Sequence, residues 1–345
     1  MLYITTRSAQ DAFTAHRTIH QHRGSDGGFF VPMRLPVLTQ SEILSLYKKS
    51  QGENIAEILN LFFGTKLSGW DVDVAVGRRV FSVKDAGHRT LMIELWHNSD
   101  GDFRRIIGAL AERVSMEPDL LTDWVEIGVR IAVLFGVFGE LLKESKISKE
   151  KPVDVSVAAG SFAMPMALWY ARAMGLPIRN IICGCNENGA AWDLLHRGEI
   201  DPSGVTVKTT TPEADFAYPP GIERLIHATL GHEEALLFWW CCTEGRTYNL
   251  SEMNRAELTK GMFAAVVSKN RIETIIPSVY RTNQYVLDPY SALAYGALAD
   301  FRSRTGSFGS ALVIAEKSPL QNTSMVASSM HVSPEELKKI LSGNQ

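Results

Sequence analysis

The chain has 345 residues, 45% hydrophobic and 21% charged, with a formal net charge of −3. That length accommodates two or three domains of about 100–200 residues, and the composition excludes a largely disordered chain. The absence of a basic surplus, at a pI near 6.3, gives no reason to expect a nucleic acid or an anionic membrane as partner.

Taken in chain order, residues 2–6 alternate weakly and read as an edge strand. The start Met1–Arg7 lacks a basic region followed by a long apolar run, so no signal peptide is expected. Residues 9–23 are polar, with His16, His20 and His22; a spacing of four puts His16 and His20 on one helix face, read as solvated rather than metal-binding. Asp26–Pro32 is a Gly-rich turn feeding a short strand. Thr39 and Glu42 form a capping box at the start of a helix, and a second helix is expected near 53–63. Two β-rich runs, Arg79–Val83 and Thr90–Trp96, flank a turn at Asp85–Gly87. Helical spacing then returns over 103–114 and 120–143.

Val153–Val157, a small-residue turn, a helix over 162–174 and Ile178–Cys183 make a strand–helix–strand unit, hence a parallel pair. Cys183 and Cys185 lie in or beside this second apolar run; a metal or redox pair is conceivable from the residues, but a buried strand accounts for them better. Further helices are expected at 190–196, 222–231, 254–267 and 290–303, a strand at 311–315, and a last helix capped by Ser333 with Pro334 at its first position. The longest apolar runs fall short of the about 20 residues that span a bilayer. With only four cysteines, a cytoplasmic setting is expected, with no membrane and no metal.

Seven stretches, in order, resemble threonine synthase, a fold-type II enzyme family that uses pyridoxal phosphate. Met1–Arg7 and Asp26–Pro32 resemble its N-terminal strand and its "PDGGLYVP" segment. Glu94–His97 resembles "ELFHG", Gly160–Ala163 with Ala173–Ile178 resembles "GNFGN" and "MGLPI", and Asn186–Asn188 resembles "TNEND". Glu223–Leu225 resembles "NFERL", and Leu287–Ala292 resembles "LDPHTA" with Tyr290 in place of the histidine. The resemblance implies an α/β fold, a tryptophan-synthase-β-like large domain built on a parallel sheet. It also implies a threonine-synthase-type N-terminal domain over 1–88 and a reduced enzyme-like domain over 89–345.

The departures from the family carry as much information. Where the family has "FKD", whose lysine forms the Schiff base, this chain has Phe103, Arg104 and Arg105. A guanidinium is effectively always protonated and cannot take the amine's place. Lys84–Asp85 lies upstream and reads as a turn. In the phosphate loop, formed by Gly160, Ser161, Phe162 and Ala163, only the first glycine persists; Asn188 is the other cofactor-facing match. Only 55 residues separate Arg104 from Gly160, and two helices use most of them. One βαβ unit needs about 30 or more, so the family's small substrate domain reads as deleted near 115–118, with the helix from Leu120 to Arg130 resembling the one that follows it. The family's "TAHPAKF" is also lost in Val313–Gln321.

These changes imply a threonine synthase-like pseudoenzyme with no intact catalytic set and no bound cofactor, serving a regulatory, scaffold or ligand-binding role. Arg104 and Arg105 could clamp a small anionic ligand, and a protein partner is the other expectation. The alternative is new chemistry in the old cleft, for which Glu94, His97, Asp100 and Asp102 supply acid–base groups. Conventional conversion of O-phosphohomoserine to threonine would need another lysine in reach.

Overall fold

The computed structural model describes residues 1–96, 102–115 and 122–343. His97 and Asp100 lie outside the described residues.

The chain opens with β1 (Leu2–Thr5), β2 (Phe13–Thr14) and β3 (Phe30–Pro32), which form a small antiparallel sheet in the order β2-β1-β3. The first strand is therefore central, not the edge strand that weak alternation suggested. Tyr3 explains the placement: its ring is fully buried and its hydroxyl donates to the Phe62 carbonyl at 2.6 Å. The capping boxes at Thr39 and Ser50 are both formed, and they open the helices Gln40–Ser45 and Gln51–Phe63.

The main sheet has six strands. They are β4 (Ser82–Asp85), β5 (Thr90–Glu94), β6 (Val153–Ala158), β7 (Ile178–Cys185), β10 (Met262–Val266) and β11 (Ala311–Ala315). Between β7 and β10 lie two short strands, β8 (Glu199–Ile200) and β9 (Tyr248–Asn249), paired with each other. The main order is β10-β7-β6-β11-β5-β4, parallel except for the edge strand β4. The expected βαβ unit is present as β6, the helix Ala163–Ala173 and β7, with Val157 opposite Cys183. The helix expected over 254–267 is not one element: it is the helix Glu252–Leu258 followed by β10. Gly261, at φ +66°, turns the chain there, and Met262–Val266 then pairs with β7. A run of small apolar residues fits a helix or a buried strand equally well by spacing alone.

Two buried cores cover the two faces of this sheet, so adjacent strand residues part company: Ile181 joins one and Ile182 the other. The first core is larger. It gathers Tyr3, Ile55 and Phe62 from the N-terminal segment around the helix Asp123–Lys143, whose Trp124 and Phe135 are fully buried. The turn at residues 86–89 joins β4 to β5 within one sheet, and residues on both sides of it share the first core. The described residues between Phe103 and Val153 form two helices, Phe103–Ser115 and Asp123–Lys143, and no strand. None of the described helices is long and apolar enough to cross a membrane.

Candidate functional site

In an open α/β sheet the ligand crevice lies outside the carboxyl ends of the strands. Here a cavity of about 260 Å³ lies at that end of β6 and β11. Its walls are the turn Ala158–Ser161 after β6, Ala163 and Met164 of the next helix, and Glu316 and Lys317 just past β11. Asp102 and Arg104 at the start of the helix Phe103–Ser115, Glu126 and Arg130 of the long helix, Glu213 and Tyr290 complete it.

The helix Phe103–Ser115 is tied to the sheet at its first residue, whose N–H donates to the Glu316 carbonyl at 2.9 Å. Asp102 accepts the backbone N–H of Arg104 at 2.9 Å, so its carboxylate caps this helix. Arg104 therefore projects at the cavity mouth, with its side chain 60% exposed, and pairs with Glu213. Lys317 reaches the same carboxylate from the opposite wall, Nζ to Oε1 2.5 Å, and lies 4.5 Å from the Tyr290 ring centroid. Deeper, Arg130 is held by Glu316 at 2.6 Å and Glu126 at 3.0 Å, its guanidinium over the Phe103 ring.

The electrostatics follow from these pairs. Burial works to raise the Glu213 carboxyl's pKa, but Lys317 and Arg104 outweigh it and hold it below the ordinary value. Burial likewise disfavours the Arg130 cation, and the Glu316 and Glu126 carboxylates outweigh that, so its pKa is raised. Burial pushes the Tyr290 phenol up to about 12, and the neighbouring Asp288 carboxyl up to about 6.

The structure thus brings Arg104, Asp102, Gly160, Ser161 and Ala163 to one cavity. Phe162, by contrast, is buried in the core at φ +70°. Glu94 is buried and does not line the cavity; Ser82 donates to its carboxylate. Arg105 is exposed and also lies outside the lining. Asn188 supports the loop across the site, accepting the Val207 N–H at 2.7 Å and donating to Asp215 at 3.0 Å. Glu213, Glu316, Lys317 and Arg130 were not singled out from sequence. The available signal was the Glu316–Lys317 pair directly after the apolar run Ala311–Ala315, a position that faces a strand-end crevice. Of the histidines, His16 and His20 do stack on one helix, ring centroids 4.4 Å apart. No group of three or more metal-ligating side chains is assembled among the described residues.

Several comparisons bear on this architecture. Two solved structures overlay nearly the whole chain. Pyridoxal phosphate-bound threonine synthase from Brucella melitensis gives a TM-score of 0.81 at 17% identity, covering 96% of this chain and 92% of that one. The yeast threonine synthase gives 0.81 at 17%, covering 99% and 94%. The fold is that of the fold-type II pyridoxal phosphate enzymes. Residues 2–78 match the family described as threonine synthase N terminus. Human threonine synthase-like 1 is 26% identical over 176 residues, half of this chain but 24% of that protein. Xenopus laevis threonine synthase-like 2 is 26% identical over 174 residues, 50% of this chain and 36% of that protein. Half of the chain is similar to threonine synthase-like proteins, and the match spans about a quarter to a third of these relatives' length.

Proposed function

We propose that this threonine synthase-like protein is a pseudoenzyme, with a cleft that serves ligand binding or regulation instead of lysine-based pyridoxal phosphate chemistry. The observation that carries the reading is the Arg104–Glu213–Lys317 bridge at the position matching the family's lysine element. Schiff-base formation needs a neutral primary amine, and Arg104 offers a guanidinium. Among the described residues, Lys317 is the lysine that lines the cavity, and its Nζ is engaged by Glu213 and the Tyr290 ring.

The remaining donor set does not fit the cofactor's phosphate either. Backbone N–H groups at a helix start attract anions, but Pro165 removes one from the first turn of the helix Ala163–Ala173. Among the described residues, four acidic side chains line the cavity against three cationic ones. All four cysteines are unpaired, which supports a reducing, cytoplasmic setting.

The test is a titration of the purified protein with pyridoxal phosphate, followed by absorbance. The reading expects only the spectrum of free cofactor. A saturable new band characteristic of lysine-bound cofactor would overturn it.

A further inference from the structure

We propose that Glu213 is the built-in occupant of a carboxylate site, and that the cleft takes a small monocarboxylate that displaces the Glu213 side chain from Arg104 and Lys317. Two cations from separate elements converge on one carboxylate: Arg104 from the first turn of its helix, Lys317 from two residues past β11. Only the Arg104 half is an ordinary surface pair. The Lys317 side chain is 11% exposed, so its charge needs a partner whether Glu213 or a ligand supplies it.

The loop is fastened on both sides of Glu213. Its own backbone N–H donates to the Tyr290 hydroxyl at 3.1 Å. Two residues on, Asp215 accepts the Thr209 N–H at 3.0 Å and the side-chain amides of Asn186 at 2.8 Å and Asn188 at 3.0 Å. The Glu213 side chain, 46% exposed, can therefore swing into water while its backbone stays in place. The pair it leaves at Arg104 is exposed and competes weakly with solvent.

Charge selects the class of ligand. Among the described residues, the lining carries three positive and four negative side chains with Glu213 in place, and with it swung out the two are balanced. A monocarboxylate restores the present charge and reproduces the two-cation contact. A phosphate dianion would exceed that charge and face Glu316 and Glu126. The volume of 260 Å³ is below the range of about 300–1,000 Å³ for drug-sized ligands, which suits a short acid.

The experiment uses Glu213→Gln and Glu213→Ala, titrated calorimetrically with acetate and propionate, and with inorganic phosphate for comparison. Removing an intramolecular competitor should tighten carboxylate binding at least about tenfold over the parent protein. Adding Lys317→Met to Glu213→Ala should abolish the gain. Unchanged affinity in both Glu213 variants would overturn the inference, and so would tighter binding of phosphate than of acetate or retention of the gain without Lys317. The inference rests on the proposed reading that the cleft holds no lysine-bound cofactor. These titrations contain no pyridoxal phosphate, so their failure and the failure of that reading are separate results.

Discussion

Arg7 and Glu223, 216 positions apart, form a two-pronged ion pair: Nε to Oε1 at 3.0 Å and Nη2 to Oε2 at 2.9 Å. Both side chains are nearly closed to solvent, at 8% and 5%, and the Thr6 hydroxyl donates to the same carboxylate. Arg224, the next residue, lies over the Phe29 ring at 4.2 Å. Three of the stretches that resemble threonine synthase, around residues 7, 26–32 and 223–225, therefore meet at one fastening between the N-terminal strands and the helix Ile222–Leu230.

Cutting this fastening from one side leaves an unpaired buried charge. Arg7→Met and Glu223→Gln should each destabilise the protein by about 3–5 kcal/mol. The double variant should lose clearly less than the sum, because neither charge is then stranded. Urea unfolding of the three variants measures this; additive losses would mean the two residues act independently.

At Gly184 of β7 the helix Pro289–Thr305 passes close to the sheet. A Cβ there would lie 2.4 Å from the Leu293 carbonyl carbon and 2.8 Å from the Ala294 nitrogen. These are backbone atoms of a helix that also receives the Ser156 hydroxyl at the Ala294 carbonyl, 2.7 Å away. Gly184→Ala should cost about 1–3 kcal/mol, or more if the helix cannot shift. A thermal midpoint equal to the parent's would contradict the close crossing.

Asp288 gives stability a defined pH dependence. It caps the helix Pro289–Thr305 through the Tyr290 N–H at 2.9 Å, and burial pushes its carboxyl from 3.8 up to about 6. The native state then binds more protons than the unfolded state between these values, so the contribution of Asp288 to stability falls as pH rises through that window. Asparagine keeps the cap without the charge. Relative to the parent, Asp288→Asn should gain on the order of 2–3 kcal/mol between pH 4 and pH 7, at about 1.4 kcal/mol per unit. His227 works in the opposite sense: burial lowers it to about 4, so its contribution is lost as pH falls from 6.5. Urea unfolding at several pH values separates the two; a pH-independent difference for Asp288→Asn would contradict its assignment.

Much of the fold could be read from local pattern. The βαβ unit at 153–185, the hairpin around Asp85–Gly87 and the helices at 103–115 and 123–143 carry their signals within a few residues. What local pattern misses is decided by distant partners. The placement of β1 depends on Tyr3 reaching Phe62, and Met262–Val266 becomes a strand because β7 offers an edge. The same holds for the site. Arg104 is picked out in the sequence by its resemblance to a family motif, whereas Glu213, Arg130 and Lys317 gain meaning only when loop, helix and strand end meet at one cavity.

Placing an amine at position 104 should not give the protein the family's chemistry. In Arg104→Lys, Glu213 still offers a carboxylate to the new ammonium, and the loop still carries Ala163 in place of a glycine. Threonine formation from O-phosphohomoserine should stay at background with pyridoxal phosphate supplied. Appreciable turnover would show that one residue, rather than the altered cleft, separates this protein from an active enzyme.

If the cleft has left lysine-based chemistry, no lysine in it captures pyridoxal phosphate. The most direct measurement is borohydride reduction of the parent protein incubated with the cofactor, followed by peptide mapping by mass spectrometry. The expected result is no stoichiometric adduct in the cleft, with Lys317 unmodified. A stoichiometric phosphopyridoxyl group on Lys317, lost in Lys317→Met, would contradict it.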